Sequence, residues 1–317
     1  MSKKIIVIVL IIIAAILGII FIQKGHKQEL QTTEKIKIGI VPAAYYLPIF
    51  VAKEKGFFSQ NGLDVEVITF NNNSDMLNAF LKGDIDVTAQ SGGSLFPLEA
   101  TSPGKFKFIY GQNNLSYSFV VRADSSIKSL VDLKGKRIGI WPSPTPKVFV
   151  NLILKKYFDP KDVEIVPLDF KLLNQALAQK QVDAVFNTDI FTETGIENGI
   201  SKYLVKYPMR DEVLNPTFNG GGIISAKLAE TNSQRVKKIK KSFELAIDYI
   251  RQNPEDARKT LLKFISVDES IALKAPLDEY IKLDEINLNK AQELADILYN
   301  EKLMDKAIKF PDLLYGR

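Results

Sequence analysis

The sequence predicts an α/β protein of two similar lobes around a central cleft, joined by two crossover strands and preceded by an N-terminal transmembrane helix. Three observations lead there. The stretch KIGIVP at 37–42 returns as RIGIWP at 137–142. DVEVITF at 64–70 returns as DVEIVPLDF at 162–170, and NAFLKGDIDV at 78–87 returns as NQALAQKQVDAV at 174–185. The chain also opens on an unbroken apolar run from Ile5 to Ile22. The three repeated blocks recur at offsets of 100, 98 and 97 residues with their order kept. A repeat this long that occurs only twice is no solenoid unit, and it fits two β-α-β-α-β lobes, each a parallel sheet with helices on its faces.

Taken in order, the apolar run comes first. Its 18 residues rise roughly 27 Å as a helix, close to the ~30 Å of bilayer hydrocarbon. Lys3 and Lys4 precede it, and Ile20, Phe21, Ile22 and Gln23 offer no small-residue cleavage site. An uncleaved single-pass anchor and a cleaved export signal both place the globular part on the extracytoplasmic side. A polar tether from His26 to Lys35 follows.

Ile36–Val41 then reads as a buried parallel strand ended by Pro42, and a helix over Pro48–Lys55 stops at Gly56. The next strand spans 64–70. Ser74 caps a helix over Asp75–Lys82 that ends at Gly83, and a third strand occupies 84–90. Strands at 106–111 and 118–124 follow, the second crossing into the other lobe. There the pattern repeats: a strand from Arg137, a helix capped by Thr145 with Pro146 first, and a strand at 162–170. Residues 219–230, with glycines at their start, make the return crossover. Val236, Ile239, Phe243, Ile247 and Ile250 share one face of a helix from Ser233. Asn253 and Pro254 begin another helix, and Leu288, Ala291, Leu294, Ala295 and Leu298 stripe a later one. The expected domains are residues 1–34 as anchor and tether, 35–122 with 219–317 as lobe one, and 123–218 as lobe two.

Composition narrows the function. Of 317 residues 46% are hydrophobic and 25% charged, the balance of a folded globule. The net charge of +5 comes from scattered lysines without an arginine stripe, so no nucleic-acid partner is expected. Cysteine is absent, which excludes disulfides, zinc thiolates, cysteine nucleophiles and a lipidated cysteine anchor.

The blocks IGIVPAAYYLPIFVAKEKGFFSQNGLDVEV, LKGDIDVTAQSG, DLKGKRIGI, VDAVFNTD and NGGGIIS together resemble one family. It is the periplasmic-type substrate-binding proteins of ABC importers for thiamine-pyrimidine precursors, nitrate, taurine and aliphatic sulfonates. The resemblance covers about residues 35–315. It implies a type II two-lobed binding protein that takes a small-molecule solute in its cleft and delivers it to an ABC permease and ATPase. The chain departs from its secreted relatives in lacking both a cleavage site and a lipidated cysteine. A eukaryotic branch makes the pyrimidine itself with histidine and iron. The single histidine here, His26, sits in the tether and does not support that chemistry.

In parallel α/β sheets, ligands bind beyond the carboxyl ends of the strands. In lobe one those ends carry Tyr45 and Tyr46, then Asn73, then Ser91, Gly92 and Ser94. In lobe two they carry Trp141, Ser143 and Thr145, then Asn187 and Asp189. The crossovers add Asn113, Tyr117 and Asn219. Each has a structural alternative. The two tyrosines and Trp141 also suit the core, Ser91–Ser94 is at minimum a helix cap, Asn71–Asn73 a loop, and Asp189 a solvated acid. Asp86 and Asp183 recur in both repeats and read as structural residues at strand starts. The candidate positions are rich in aromatics, amides and hydroxyls and poor in arginine. That favours a pyrimidine-like or other heteroaromatic solute over a sulfonate, taurine or nitrate ion, which would want a fixed cation or converging N–H donors. No catalytic residues, metal or cofactor are expected, so the chain reads as no enzyme. A membrane-tethered solute sensor is the other reading the residues permit.

Overall fold

The computed structural model describes residues 35–113 and 117–316. The run Ile5–Ile22 and its tether lie outside them. Among the described residues, no helix is long and apolar enough to cross a membrane.

In chain order the structure begins β1 (Ile36–Ile40), α1 (Leu47–Glu54), α2 (Phe57–Gln60), β2 (Val65–Thr69), α3 (Asn73–Lys82) and β3 (Val87–Ser91). Next come α4 (Gly92–Thr101), β4 (Phe106–Phe108), β5 (Tyr110–Asn113) and β6 (Tyr117–Arg122). The second repeat gives β7 (Arg137–Ile140), α5 (Pro144–Leu154), β8 (Glu164–Pro167), α6 (Leu173–Ala178) and β9 (Ala184–Thr188). It is followed by α7 (Asp189–Glu197), β10 (Ser201–Val205), α8 (Pro208–Glu212) and β11 (Phe218–Ser225). The chain closes with α9 (Ala226–Thr231), α10 (Ser233–Gln252), α11 (Pro254–Leu261), α12 (Glu269–Lys274), β12 (Glu279–Lys282) and α13 (Leu288–Asn300).

Two sheets result. The first runs β12-β5-β11-β3-β1-β2, with β4 also paired to β11; the second runs β10-β6-β9-β7-β8. Their centres are built alike. β1 is parallel to β2 and β3 with Ile36 opposite Val65 and Ile38 opposite Val87. β7 is parallel to β8 and β9 with Arg137 opposite Glu164 and Ile138 opposite Ala184. Beyond the third strand of each sheet lies an antiparallel neighbour, β11 in the first and β6 in the second. Each is the strand by which the chain arrives from the other half.

The recurring aspartates explain why the repeat is so regular. Asp86 Oδ2 accepts the backbone N–H of Lys37 at 2.9 Å, and Asp183 Oδ2 accepts that of Arg137 at 2.9 Å. In return, the N–H groups of Asp86 and Asp183 donate to the carbonyls of Lys37 and Arg137. Each aspartate thus clamps the start of its central strand to the third strand. Arg137 adds guanidinium bonds to Asp183, which hold that carboxyl below its usual range.

The apolar stripe of α10, from Val236 to Ile250, is buried, and Phe243 meets Phe58 edge-on and packs beside Tyr110. Phe96, Phe108, Phe218 and Phe310 form a second aromatic cluster, with ring centroids 4.9 to 6.3 Å apart.

Several expectations need correction. Residues 117–122 are expected in lobe one, but β6 pairs with β9 and β10, in the second sheet. The helix expected to start after Ser74 starts at Asn73, because the Asn72 side chain accepts the N–H of Asp75 and caps it. Thr145 is not a cap either: α5 begins at Pro144 with Ser143 outside it, which frees the Thr145 hydroxyl for the cleft. The expected strand at 106–111 breaks at Ile109 into β4 and β5.

Candidate functional site

A pocket opens where the carboxyl ends of the parallel strands of both sheets meet. Its space, open mouth included, is about 640 Å³. From the first half come Val41, Ala43, Tyr45 and Tyr46 after β1, Asn73 at the start of α3, and Gln90 and Ser91 at the end of β3. From the second half come Trp141, Ser143 and Thr145 after β7, Phe170 after β8, Asn187 and Thr188 at the end of β9, and Phe191 in α7. Tyr117, the first residue of β6, completes the lining. Why the chain folds this way locally is clear at Pro42 and Pro142, which follow the two central strands and turn the backbone out toward the cleft.

The walls are aromatic. Trp141 is partly buried, lies parallel to Phe186 at 6.4 Å between centroids, and tilts 31° against Tyr117 at 5.5 Å. Phe170 and Phe191 stand 4.7 Å apart. Tyr45 and Tyr46 meet edge-on at 5.5 Å. Burial raises both phenols well above their ordinary range, so each keeps its proton. Tyr46 is only 3% exposed and donates its hydroxyl to Asn73 Oδ1 at 2.9 Å.

The polar groups divide into those already bonded and those not. Ser91 Oγ accepts the N–H of Gly93, and Asn187 Oδ1 accepts the N–H of Thr188. Thr145 Oγ1 and Ser94 Oγ lie 2.7 Å apart, a hydroxyl pair that bridges the two halves. Tyr45 Oη, Gln90 Nε2 and Asn187 Nδ2 are buried with no protein partner. Among the described residues lining the pocket, none is lysine or arginine.

Of the residues singled out from sequence, Tyr45, Tyr46, Asn73, Ser91, Tyr117, Trp141, Ser143, Thr145 and Asn187 are brought together here. Gly92 is buried at the first position of α4 against Phe96, and Ser94 acts on Thr145 from behind the lining. Asn113 points elsewhere, donating to Glu279 Oε2 at 3.4 Å. Asn219 is fully buried at the head of β11, with both amide atoms unpartnered, and is not part of the lining. The Asp189 side chain lies outside the described residues; its backbone begins α7. Val41, Ala43, Gln90, Phe170, Thr188 and Phe191 line the pocket beyond those candidates. The signal for Phe170 was present, since it ends the second repeat's DVEIVPLDF block just beyond β8.

Comparison with known proteins agrees with this architecture. The family profile described as NMT1/THI5 like matches residues 43–257. A Brucella abortus (strain 2308) protein named as a binding protein is 28% identical over 221 residues, 69% of this chain and 68% of its own length. A Haemophilus influenzae protein named for thiamine biosynthesis is 26% identical over 308 residues, 90% of this chain and 93% of its own. A Saccharomyces cerevisiae 4-amino-5-hydroxymethyl-2-methylpyrimidine phosphate synthase, THI11, is 23% identical over 253 residues, 74% of this chain and 72% of its own. Among solved structures, the periplasmic aliphatic sulphonate binding protein SsuA of Escherichia coli superposes with a TM-score of 0.72 at 17% identity. That superposition covers 89% of this chain and 92% of SsuA. This likeness extends to the α/β periplasmic-binding-protein fold.

Proposed function

The chain belongs to the NMT1/THI5-like family, and on that premise we propose that it is an extracytoplasmic solute-binding protein for a flat, pyrimidine-like heteroaromatic molecule. One observation carries the proposal. The pocket between the two sheets is walled by six aromatic side chains and has no lysine or arginine among its described lining residues. A planar, neutral ring gains dispersion and loses water between such walls, whereas a buried full charge would go uncompensated there. Trp141 and Tyr117 supply one face, Tyr45 and Tyr46 the facing wall, and Ser143, Thr145 and Asn187 the hydrogen bonds that orient the ring. The names of the yeast and Haemophilus relatives, which refer to the thiamine pyrimidine and to thiamine biosynthesis, support the same ligand class.

In this reading Ile5–Ile22 anchors the protein in the membrane, the lobes close on solute about the two crossings, and an ABC permease and ATPase receive it. The role is capture without chemistry. The yeast relative is named as an enzyme, but this chain has no cysteine and its single histidine, His26, lies in the tether.

A second reading, capture of a small oxyanion, is favoured by one feature. The N-terminus of α4 begins at Gly92 beside the pocket, and helix N-termini attract anions. A thermal-shift comparison separates the two. Full-length protein is heated with 4-amino-5-hydroxymethyl-2-methylpyrimidine, with taurine and with nitrate. A ligand present at one hundred times its Kd adds about 2.7 kcal/mol. The proposal expects a raised melting temperature with the pyrimidine alone; a rise only with taurine or nitrate overturns it.

A further inference from the structure

Two buried amide groups in the pocket are placed to hold something the protein does not itself supply. Gln90 is next to last in β3 of the first sheet and is 4% exposed; Asn187 is next to last in β9 of the second and is 1% exposed. Both line the pocket, and both present an amide nitrogen, Nε2 and Nδ2, that is buried without a protein acceptor. Buried polar groups are almost always bonded, and leaving one unmet costs about 1–3 kcal/mol. Two such unmet amides, on residues that line one cavity from opposite sheets, point to a common cause.

We infer that Gln90 and Asn187 are the specificity-determining donors of the site, and that the solute is recognised by hydrogen-bond acceptors on two of its edges. Resting on the heteroaromatic reading above, this names the acceptors as uncharged ring nitrogens or carbonyl oxygens. The partners already used by Asn187 sharpen the point. Its Oδ1 is spent on the N–H of Thr188, which leaves the Nδ2 donor as the group still unmet. The donors come one from each half, so a single solute satisfies both only when it spans the cleft. A ligand edge carrying only N–H donors would leave both amides unmet and is rejected.

The test uses full-length protein, 4-amino-5-hydroxymethyl-2-methylpyrimidine as probe, and its benzene isostere lacking both ring nitrogens. Two variants remove one donor each. Gln90→Met replaces the unmet amide with an apolar chain of similar length, and Asn187→Asp keeps the oxygen that Thr188 uses. We expect each variant to bind the pyrimidine roughly five- to tenfold more weakly, the worth of one hydrogen bond. The native protein should prefer the pyrimidine over its isostere by a larger factor than either variant does. The melting temperature of solute-free Gln90→Met should stay level or rise, because no protein bond is lost. A lowered melting temperature with unchanged pyrimidine affinity would mark Gln90 as structural, and native-like affinity in both variants overturns the inference. If the native protein binds no pyrimidine at all, the heteroaromatic reading falls with it, a result distinct from native binding that the variants leave untouched.

Discussion

Trp141 and Val41 occupy the same position in the two repeats, the residue after IGI and before proline, and both line the pocket. The repeat therefore delivers the same backbone to both sides of the cleft, while the side chains differ. Trp141 is partly exposed and its neighbours Tyr117 and Phe186 are aromatic, so Trp141→Ala should weaken solute binding by about 2 kcal/mol, on the order of thirtyfold. Its melting temperature should change little by comparison. Tyr46 is the opposite case. It is buried against Phe50 and Tyr45 and bonded to Asn73, so Tyr46→Ala should cost about 3–5 kcal/mol of stability, read from a denaturant titration. The milder Tyr46→Phe should cost about 1 kcal/mol. The two residues look alike in sequence as aromatics near a strand end. Only the packing that burial reveals separates a pocket wall from a core residue with one edge in the pocket.

At the scale of elements, the parallel strands were legible as apolar runs that recur in the repeat, and the long helices by stripes whose burial has the helical period. β1 to β3, β7 to β9, α10 and α13 all fall where the repeat or the stripe puts them. What was illegible depends on partners far away in sequence. Nothing local tells that Tyr117–Arg122 pairs with β9 and β10 rather than with β5, or that α7, β10 and α8 lie between Asp189 and Glu212. Gly93 shows such a distant dependence. A Cβ there would sit 3.1 Å from the Thr145 methyl and 3.3 Å from the Phe149 ring, across the cleft in α5. Gly93→Val should wedge α4 from α5 and weaken solute binding about tenfold or more, since overpacking costs about 1–3 kcal/mol. A variant that binds as tightly as the native protein would show that this contact is not maintained with solute bound. Elsewhere α10 is tied to the end of β12 by Arg251, whose guanidinium lies 2.6 Å from Glu285 and holds that carboxyl at about 2, below its free value of 4.5. A depressed carboxyl stabilises the fold fully above its unfolded pKa and loses that contribution as pH falls through the folded one. The contribution is therefore present at neutral pH and disappears between pH 4.5 and about 2. Glu285→Gln should melt earlier at neutral pH and show a shallower loss across that acid window. The carboxylate is about two-fifths exposed, so solvent screens the effect and the shift is small.

For the whole molecule, two sheets of the same design meet at their carboxyl ends, and polar side chains reach across between the two halves. Ser94 meets Thr145, Lys274 at the end of α12 reaches Glu197 of α7 at 2.8 Å, and Lys155 after α5 pairs with Glu301 after α13. Under the proposed function these contacts form on closing around solute. Small-angle scattering of the full chain should then show a smaller radius of gyration when 4-amino-5-hydroxymethyl-2-methylpyrimidine saturates the site; an unchanged radius would argue against hinge closure. Under the proposed function the pocket walled by Trp141 takes a flat heteroaromatic solute, and the chain supplies its own probe. Trp141 is the single tryptophan of the 317 residues, so intrinsic tryptophan fluorescence reports on this wall alone. Titrating the full-length protein with 4-amino-5-hydroxymethyl-2-methylpyrimidine should change that emission saturably, and an excess of taurine or nitrate should leave it as it was. Emission that stays constant with the pyrimidine and saturates with taurine or nitrate would contradict the account.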